Sequence, residues 1–290
     1  MSQKFLANDA YGYPSATTRF FRGLSALSLN SLRVLLRKGP AATQSFVASC
    51  HHVHAGYGMP KIWATLPWRE NLAVPKRGIG DIFPEIDFTD CPSLVFPISR
   101  DLGISTEELA ILCRVASHVK PRRIIEFGTA EGRTAVNLAR HLADEGEVVT
   151  LDFTPIAGQN EVGFFYWNHP AKSKIKQVSC SVIEWDSSPY ENSAEIVFCD
   201  ACDLMPGLAA ELFQAITTLK PGGTIFRHDY GSVAGTTLFW NWVATKLPVF
   251  HIDGTTLLCL RLNNPEVFRQ AQSLLNDPVL KESVRIPAAG

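Results

Sequence analysis

The chain has 290 residues, 46% of them hydrophobic, with 27 Lys and Arg against 28 Asp and Glu. That size accommodates one large α/β domain of about 200 residues plus an extension, and no run of about 18 uncharged apolar residues marks a membrane span. The seven cysteines are scattered and odd in number in a chain too large to need disulfide staples, which points to reduced thiols and a cytoplasmic protein.

The balanced net charge hides an asymmetry. Residues 1–80 carry ten Lys and Arg, from Lys4 to Arg77, against only Asp9 and Glu70, and the acidic excess lies in the rest. The change places a boundary near the Pro-rich stretch DIFPEIDFTDCPSLVFPISRD and divides the chain into a basic extension, 1–100, and a domain, 101–290. Within the extension, RFFRGLSALSLNSLRVLLRKGP has leucines at helical spacing, flanked by arginines and stopped by Gly39-Pro40. Three readings of that helix stay open: an interfacial membrane helix, a transit-like leader, or a helix packed on its own domain or on a second copy in a homodimer. CHHVH, Cys50 to His54, invites a metal reading, but adjacent histidines on a basic segment are more readily solvated. No nucleic-acid motif accompanies the basic charge.

From residue 104 the pattern is orderly. ISTEELAILCRVASHVKP opens with Ser105 and Glu108 in capping-box spacing and carries a helical apolar stripe ended before Pro121. There follow a strand in RRIIEF, a helix in GRTAVNLARHLA, strands in EVVTLDF, IKQVSC and AEIVFCD, a helix in LAAELFQAITTL, a strand in GGTIFRHD and a helix in GTTLFWNWVATKL. Short apolar strands alternating with helices predict an α/β, doubly wound, mostly parallel sheet. PVFHI and TTLLCLRL around Asp253-Gly254 read as a hairpin, which predicts an antiparallel edge strand.

In such a sheet ligands bind outside the carboxyl ends of the strands, where strand order reverses. At the first strand end stand Glu126, Gly128 and Gly132; at the next, 26 residues after Glu126, stands Asp152. An acid there suits the hydroxyls of a ribose. A pyrophosphate wants G-x-G-x-x-G, whereas Ala130 occupies the middle position and the glycines are four apart. The interval suits a cofactor without phosphates.

Taken in order, EFGTAEGRTAVNLA, VVTLDF, SSPYENSAEIVFCDA, LKPGGTIFRHDYG and IDGTTLLCLRL resemble the class I S-adenosylmethionine-dependent methyltransferases, in particular bacterial small-molecule O-methyltransferases. The resemblance covers about residues 104–262. It implies that Gly128 and Gly132, with Thr129, lie against the methionine part of S-adenosylmethionine, that Glu126 supports this loop or the amino group, and that Asp152 and Phe153 meet the ribose. Cys180, Ser181 and Val182 fall where the family contacts adenine, although Cys180 cannot accept the amino hydrogen bond as a carboxylate would.

Catalysis is expected at the ends of the fourth and fifth strands, FCDACD and FRHDYG, where Asp200, Asp203, His228 and Asp229 converge near the cofactor. Either His228 takes the proton of a small-molecule acceptor directly, or Asp200 and Asp229, with His228 or Asp203, hold Mg²⁺ or a similar hard ion. A capping role for Asp229 in the turn after it is the bland alternative. Phe239, Trp240 and Trp242 either stack an aromatic acceptor or pack on the sheet, and Cys199 and Cys202 form a C-x-x-C pair without a partner pair. Two rival functions use the same residues: a non-catalytic cofactor-fold module recruited through the basic extension, and an NAD-dependent oxidoreductase.

Overall fold

The structure, a computed structural model, describes residues 72–90, 92–96, 103–152 and 162–284. Eight strands form one sheet: β1 (Lys76–Arg77), β2 (Arg123–Phe127), β3 (Glu147–Asp152), β4 (Ile175–Ser179), β5 (Ala194–Cys199), β6 (Leu219–Arg227), β7 (Phe250–Ile252) and β8 (Leu258–Arg261). Their spatial order is β1-β7-β8-β6-β5-β2-β3-β4. The chain runs outward from β2 to β3 and β4, then returns to β5 on the other side, so the switch point lies between β2 and β5.

Alternation along the strands builds two layers. Ile125, Val149, Val197 and Ile225 face one core with Leu208 and Leu212 of α4 (Gly207–Thr218), Phe239 and Trp240 of α5 (Ala234–Ala244), Leu274 of α6 (Pro265–Leu274) and Leu280 of α7 (Pro278–Lys281). Ile124, Val148, Ile196 and Phe226 face the other core, with Leu109 and Leu112 of α2 (Thr106–Val119) and Val136 of α3 (Arg133–Ala139). Neighbouring residues of one strand therefore serve opposite cores, and each buried aliphatic side chain contributes about 1.5–3 kcal/mol. Helix α2 starts where its sequence places it. The Ser105 hydroxyl accepts from Glu108 N at 3.1 Å and Ser105 N donates to Glu108 Oε2 at 2.9 Å, completing the capping box.

The expected hairpin forms, with β7 and β8 antiparallel, but its place at the edge needs correcting: β8 is the reversed strand and sits inside the sheet, between β6 and β7. The edge belongs to β1, which runs parallel to β7 through Lys76 opposite His251 and Arg77 opposite Ile252. Part of the segment grouped by its charge with the extension is thus built into the sheet. Val74, Ile82, Phe83 and Ile86 are buried there, with Ile82 in the short helix α1 (Ile79–Ile82). Apolar spacing, rather than net charge, decides what packs. Helix α3 is shorter than its sequence pattern, because the chain turns away after Ala139. No helix among the described residues is long and apolar enough to cross a membrane. The amphipathic segment at 19–40, CHHVH and Phe153 lie outside the described residues.

Candidate active site at the carboxyl ends of the strands

The glycine loop after β2 is held from three sides. Gly128 N and Thr129 N both donate to Leu151 O, at 2.8 and 3.2 Å, tying the loop to β3. Gly128 has φ +98° and a Cβ there would stand 2.6 Å from Asp200 O, while Gly132 has φ +82° and its Cβ would fall 2.5 Å from the Tyr166 ring. Gly163 N donates to Ala130 O and Phe165 N to Glu131 O, each at 2.9 Å, so the segment carrying Tyr166 is strapped over the loop. Each glycine is required by neighbouring protein and by its left-handed backbone, whatever the loop receives.

Around that loop the expected cofactor residues divide. Asp152 Oδ2 accepts from Ala130 N at 2.7 Å, leaving its other oxygen at the strand end. The Thr129 hydroxyl turns inward to Thr150 Oγ1 at 2.7 Å, so it braces the loop rather than facing a ligand. Glu126 is fully buried; Thr150 donates to its Oε2, but Oε1 has no hydrogen-bond partner among the described residues. Burial pushes its carboxyl up to about 8. Cys180 is half-buried against the core, and Ser181 Oγ accepts from Ile183 N at 3.3 Å in the turn after β4.

Beside the loop, Asp200 follows β5 and His228 and Asp229 follow β6, where His228 N donates to Cys199 O. Each of the three side chains offers one ligand atom, and these atoms lie within 4.8 Å of one another. His228 is 6% exposed. Its Nδ1 is 3.0 Å from Asp200 Oδ1 and 3.6 Å from Asp229 Oδ1, and its Nε2 is 3.4 Å from Glu108 Oε2. Burial alone would lower its pKa, but hydrogen bonds to Asp200 and Glu108 push it up to about 10. Burial likewise raises the Asp200 carboxyl, against the pull of His228. For Glu108, burial is outweighed by donors from His228, Ser105 and Thr256, which hold the carboxyl well below its usual range.

Both ring nitrogens of His228 face carboxylates, an arrangement that favours the protonated ring while no cation lies in the cluster. Asp229 lies beside His228 in the cluster and also accepts from the Ser232 hydroxyl at 2.7 Å in the following turn.

Asp203 does not join the cluster. It accepts from Arg227 Nη2 at 3.1 Å and from the Thr236 hydroxyl at 3.3 Å. Arg227, 1% exposed, donates to Glu211 Oε2 at 2.6 Å and to Cys202 O at 2.7 Å, and Glu211 Oε1 accepts from Ala201 N and Cys202 N. Burial opposes the guanidinium's charge, but Glu211, Asp200 and Asp203 more than offset it and keep Arg227 protonated. This network anchors the loop after β5. The Cys199 and Cys202 thiols are free, and burial raises both. Phe239 and Trp240 are buried and Trp242 packs on the same core, which accounts for them without an acceptor.

Three residues of this region escaped the sequence reading: Glu108 as a partner of His228, and the Arg227–Glu211 pair. A charged residue alternating into a strand otherwise buried on both faces was the available signal for Arg227. Glu108 gave none beyond its cap.

Residues 125–230 match a protein family described as "Methyltransferase domain". A catechol O-methyltransferase of Mycobacterium tuberculosis is 24% identical over 115 residues, which are 40% of this chain and 43% of that protein. The chain thus spans less than half the length of the curated relative it matches. Among solved structures, the O-methyltransferase TomG from Streptomyces achromogenes, in complex with SAM, is 21% identical with a TM-score of 0.44, over 56% of this chain and 82% of TomG. An O-methyltransferase from Bacillus cereus, in complex with SAH, is 17% identical with a TM-score of 0.43, over 68% of this chain and 97% of that one. Residues 125–230, which hold the glycine loop and the strand ends around it, are thus similar to a methyltransferase domain.

Proposed function

We propose that the chain transfers a methyl group from S-adenosylmethionine to an oxygen of a small-molecule acceptor held at Asp200, His228 and Asp229, with help from a divalent cation. The observation that carries this reading is the convergence of those three side chains, from the ends of β5 and β6, beside the loop that opens the family's domain.

The residues present fit both groups. Glu126 Oε1, buried without a hydrogen-bond partner among the described residues, suits the cationic amino group of the cofactor, and the free oxygen of Asp152 suits a ribose hydroxyl. Two carboxylates and an imidazole within 4.8 Å are a donor set for a divalent ion. When bound, that ion lowers the pKa of an acceptor hydroxyl.

Everything else falls to the chain. The Arg227–Glu211 network fixes the backbone after β5 and so the direction of Asp200. The strap at Gly163–Tyr166 holds the glycine loop in register with β3. Methyl transfer is an in-line displacement: the carbon–sulfur bond of the sulfonium breaks as the carbon–oxygen bond forms, and the protein's main contribution is to orient the two reactants. The acceptor's hydroxyl proton leaves to a carboxylate of the cluster, because neither nitrogen of His228 is free to take it.

The test is a calorimetric titration with S-adenosylmethionine, S-adenosylhomocysteine and NADH, followed by mass spectrometry of catechol and simpler phenols incubated with protein and cofactor. Binding of the adenosyl ligands alone, with gain of one methyl on an acceptor oxygen, is expected. Binding of NADH alone would restore the oxidoreductase alternative. Cofactor binding without transfer to any acceptor would favour the non-catalytic module.

A further inference from the structure

The same cluster has an asymmetry that bears on which ion it takes, and the inference rests on the methyl-transfer reading of that site. We propose that Glu108 is a positioning residue that fixes His228 as a nitrogen ligand, making this a seat for a nitrogen-accepting transition ion such as Mn²⁺, Co²⁺ or Zn²⁺ in preference to Mg²⁺.

The placement of the ring carries the argument. Nδ1 faces Asp200 and Asp229, at 3.0 and 3.6 Å, and Nε2, on the ring's other side, faces Glu108 at 3.4 Å. A neutral imidazole offers one lone pair, and the partner of the other nitrogen decides which. With an ion between the two aspartates, the carboxylate at Nε2 would hold the remaining proton and leave the Nδ1 lone pair to the ion. Carboxylates beyond metal-binding histidines act in this way.

Glu108 cannot turn aside. Its Oε2 also accepts from Ser105 N at 2.9 Å, and its Oε1 accepts from Thr256 N at 2.6 Å and from the Thr256 hydroxyl at 2.8 Å. The carboxylate is 4% exposed and is pinned by its own helix N-terminus and by the turn between β7 and β8. A helix cap needs only the Ser105 exchange. The contacts to Thr256 and His228 are surplus to capping and join three elements behind the cluster.

Donor chemistry supplies the selectivity. Mg²⁺ prefers an all-oxygen octahedron and keeps several waters, whereas imidazole suits transition ions, whose affinity for such sites rises along the Irving–Williams order. One nitrogen beside two carboxylates moves the site away from Mg²⁺.

The experiment uses the full chain stripped with chelator, titrated calorimetrically with Mg²⁺, Mn²⁺ and Co²⁺, with the visible absorption of bound Co²⁺ and the ¹⁵N spectra of Zn²⁺-loaded protein as readouts independent of activity. Expected are tighter binding of Co²⁺ and Mn²⁺ than of Mg²⁺, and a His228 signal with the proton on Nε2. In Glu108→Gln, Co²⁺ affinity should fall about 10- to 100-fold. In Ser105→Ala, which weakens the cap but leaves Glu108 on His228, it should be unchanged. In His228→Asp, the preference should shift toward Mg²⁺. Equal affinity for Mg²⁺ and Co²⁺ would overturn the proposal, as would the opposite tautomer in the Zn²⁺ form or a Ser105→Ala loss matching that of Glu108→Gln. The two readings fail separately. Equal affinity for Mg²⁺ and Co²⁺ in protein that still transfers a methyl group would remove the inference alone, and selective Co²⁺ binding without affinity for S-adenosylmethionine would remove the methyl-transfer reading alone.

Discussion

Arg227 and His228 are neighbours at the end of β6, yet they enter different worlds. Arg227 turns to the α4 side and is sealed against Glu211, Asp203 and Cys202 O. His228 turns to the α2 side, against Glu108, and reaches the rim with Asp200 and Asp229, whose carboxylates remain partly exposed. The same alternation separates Ile225 from Phe226 in the two cores. A strand period of two can thus place a structural ion pair and the proposed active-site cluster on consecutive residues. The first is there to hold a loop. The second has carboxylates that reach the surface.

Substitutions should divide along that line. Arg227→Met, which leaves Glu211 as a buried unpaired carboxylate, should cost about 3–5 kcal/mol of stability, read as a fall in thermal midpoint of about 6–20 °C. Adding Glu211→Leu should recover much of that loss, since a well-packed apolar pair often replaces a buried ion pair without penalty. His228→Ala, by contrast, should lower turnover about 100-fold, close to 2.7 kcal/mol in the barrier, with a smaller change in midpoint. If Arg227→Met abolished turnover in protein that stays folded, the two assemblies would not be separate.

pH sharpens the same contrast. In the metal-free protein the pKa of His228 is raised from 6.5 to about 10, so the folded state holds a proton that the unfolded state releases. The stabilisation is complete below about pH 6.5 and is lost as pH rises toward 10. Urea unfolding across that window should show the decline in the wild type and a shallower one in His228→Asn. An identical decline in both would show that His228 is not held as a cation.

Smaller effects belong to the loop and the cap. Gly132→Ala places a methyl against Tyr166 on left-handed backbone and should cost about 1–3 kcal/mol, measured by denaturant midpoint. Ser105→Ala removes one acceptor at the start of α2 and should cost about 1 kcal/mol. A larger loss at Ser105 would mean that the cap also governs Glu108.

Much of this was legible before folding. Alternating helices and apolar strands gave the parallel sheet, and Asp200, His228 and Asp229 could be placed together because they follow strands that neighbour each other in such a topology. What failed was the choice of partner for several side chains whose partners lie on other elements. Asp203 is three residues from Asp200 yet faces Arg227 and Thr236. Gly132 is held to glycine by the ring of Tyr166, whose segment carries no pattern pointing back to the loop. β1 was hidden because two residues are too few to show a period, and their charge argued for the extension.

The sequence by itself determined the order of the strands and longer helices from α2 to β8, the strand ends proposed to carry chemistry and the cap that starts α2, because each is set by local periodicity and near-neighbour hydrogen bonding. Only the tertiary structure decided that β8 lies inside the sheet, that Arg227 is paired rather than free, and that Glu108 looks across 120 residues to His228. Those outcomes turn on which buried charge finds which partner, and a chain encodes that choice only through the whole packed core.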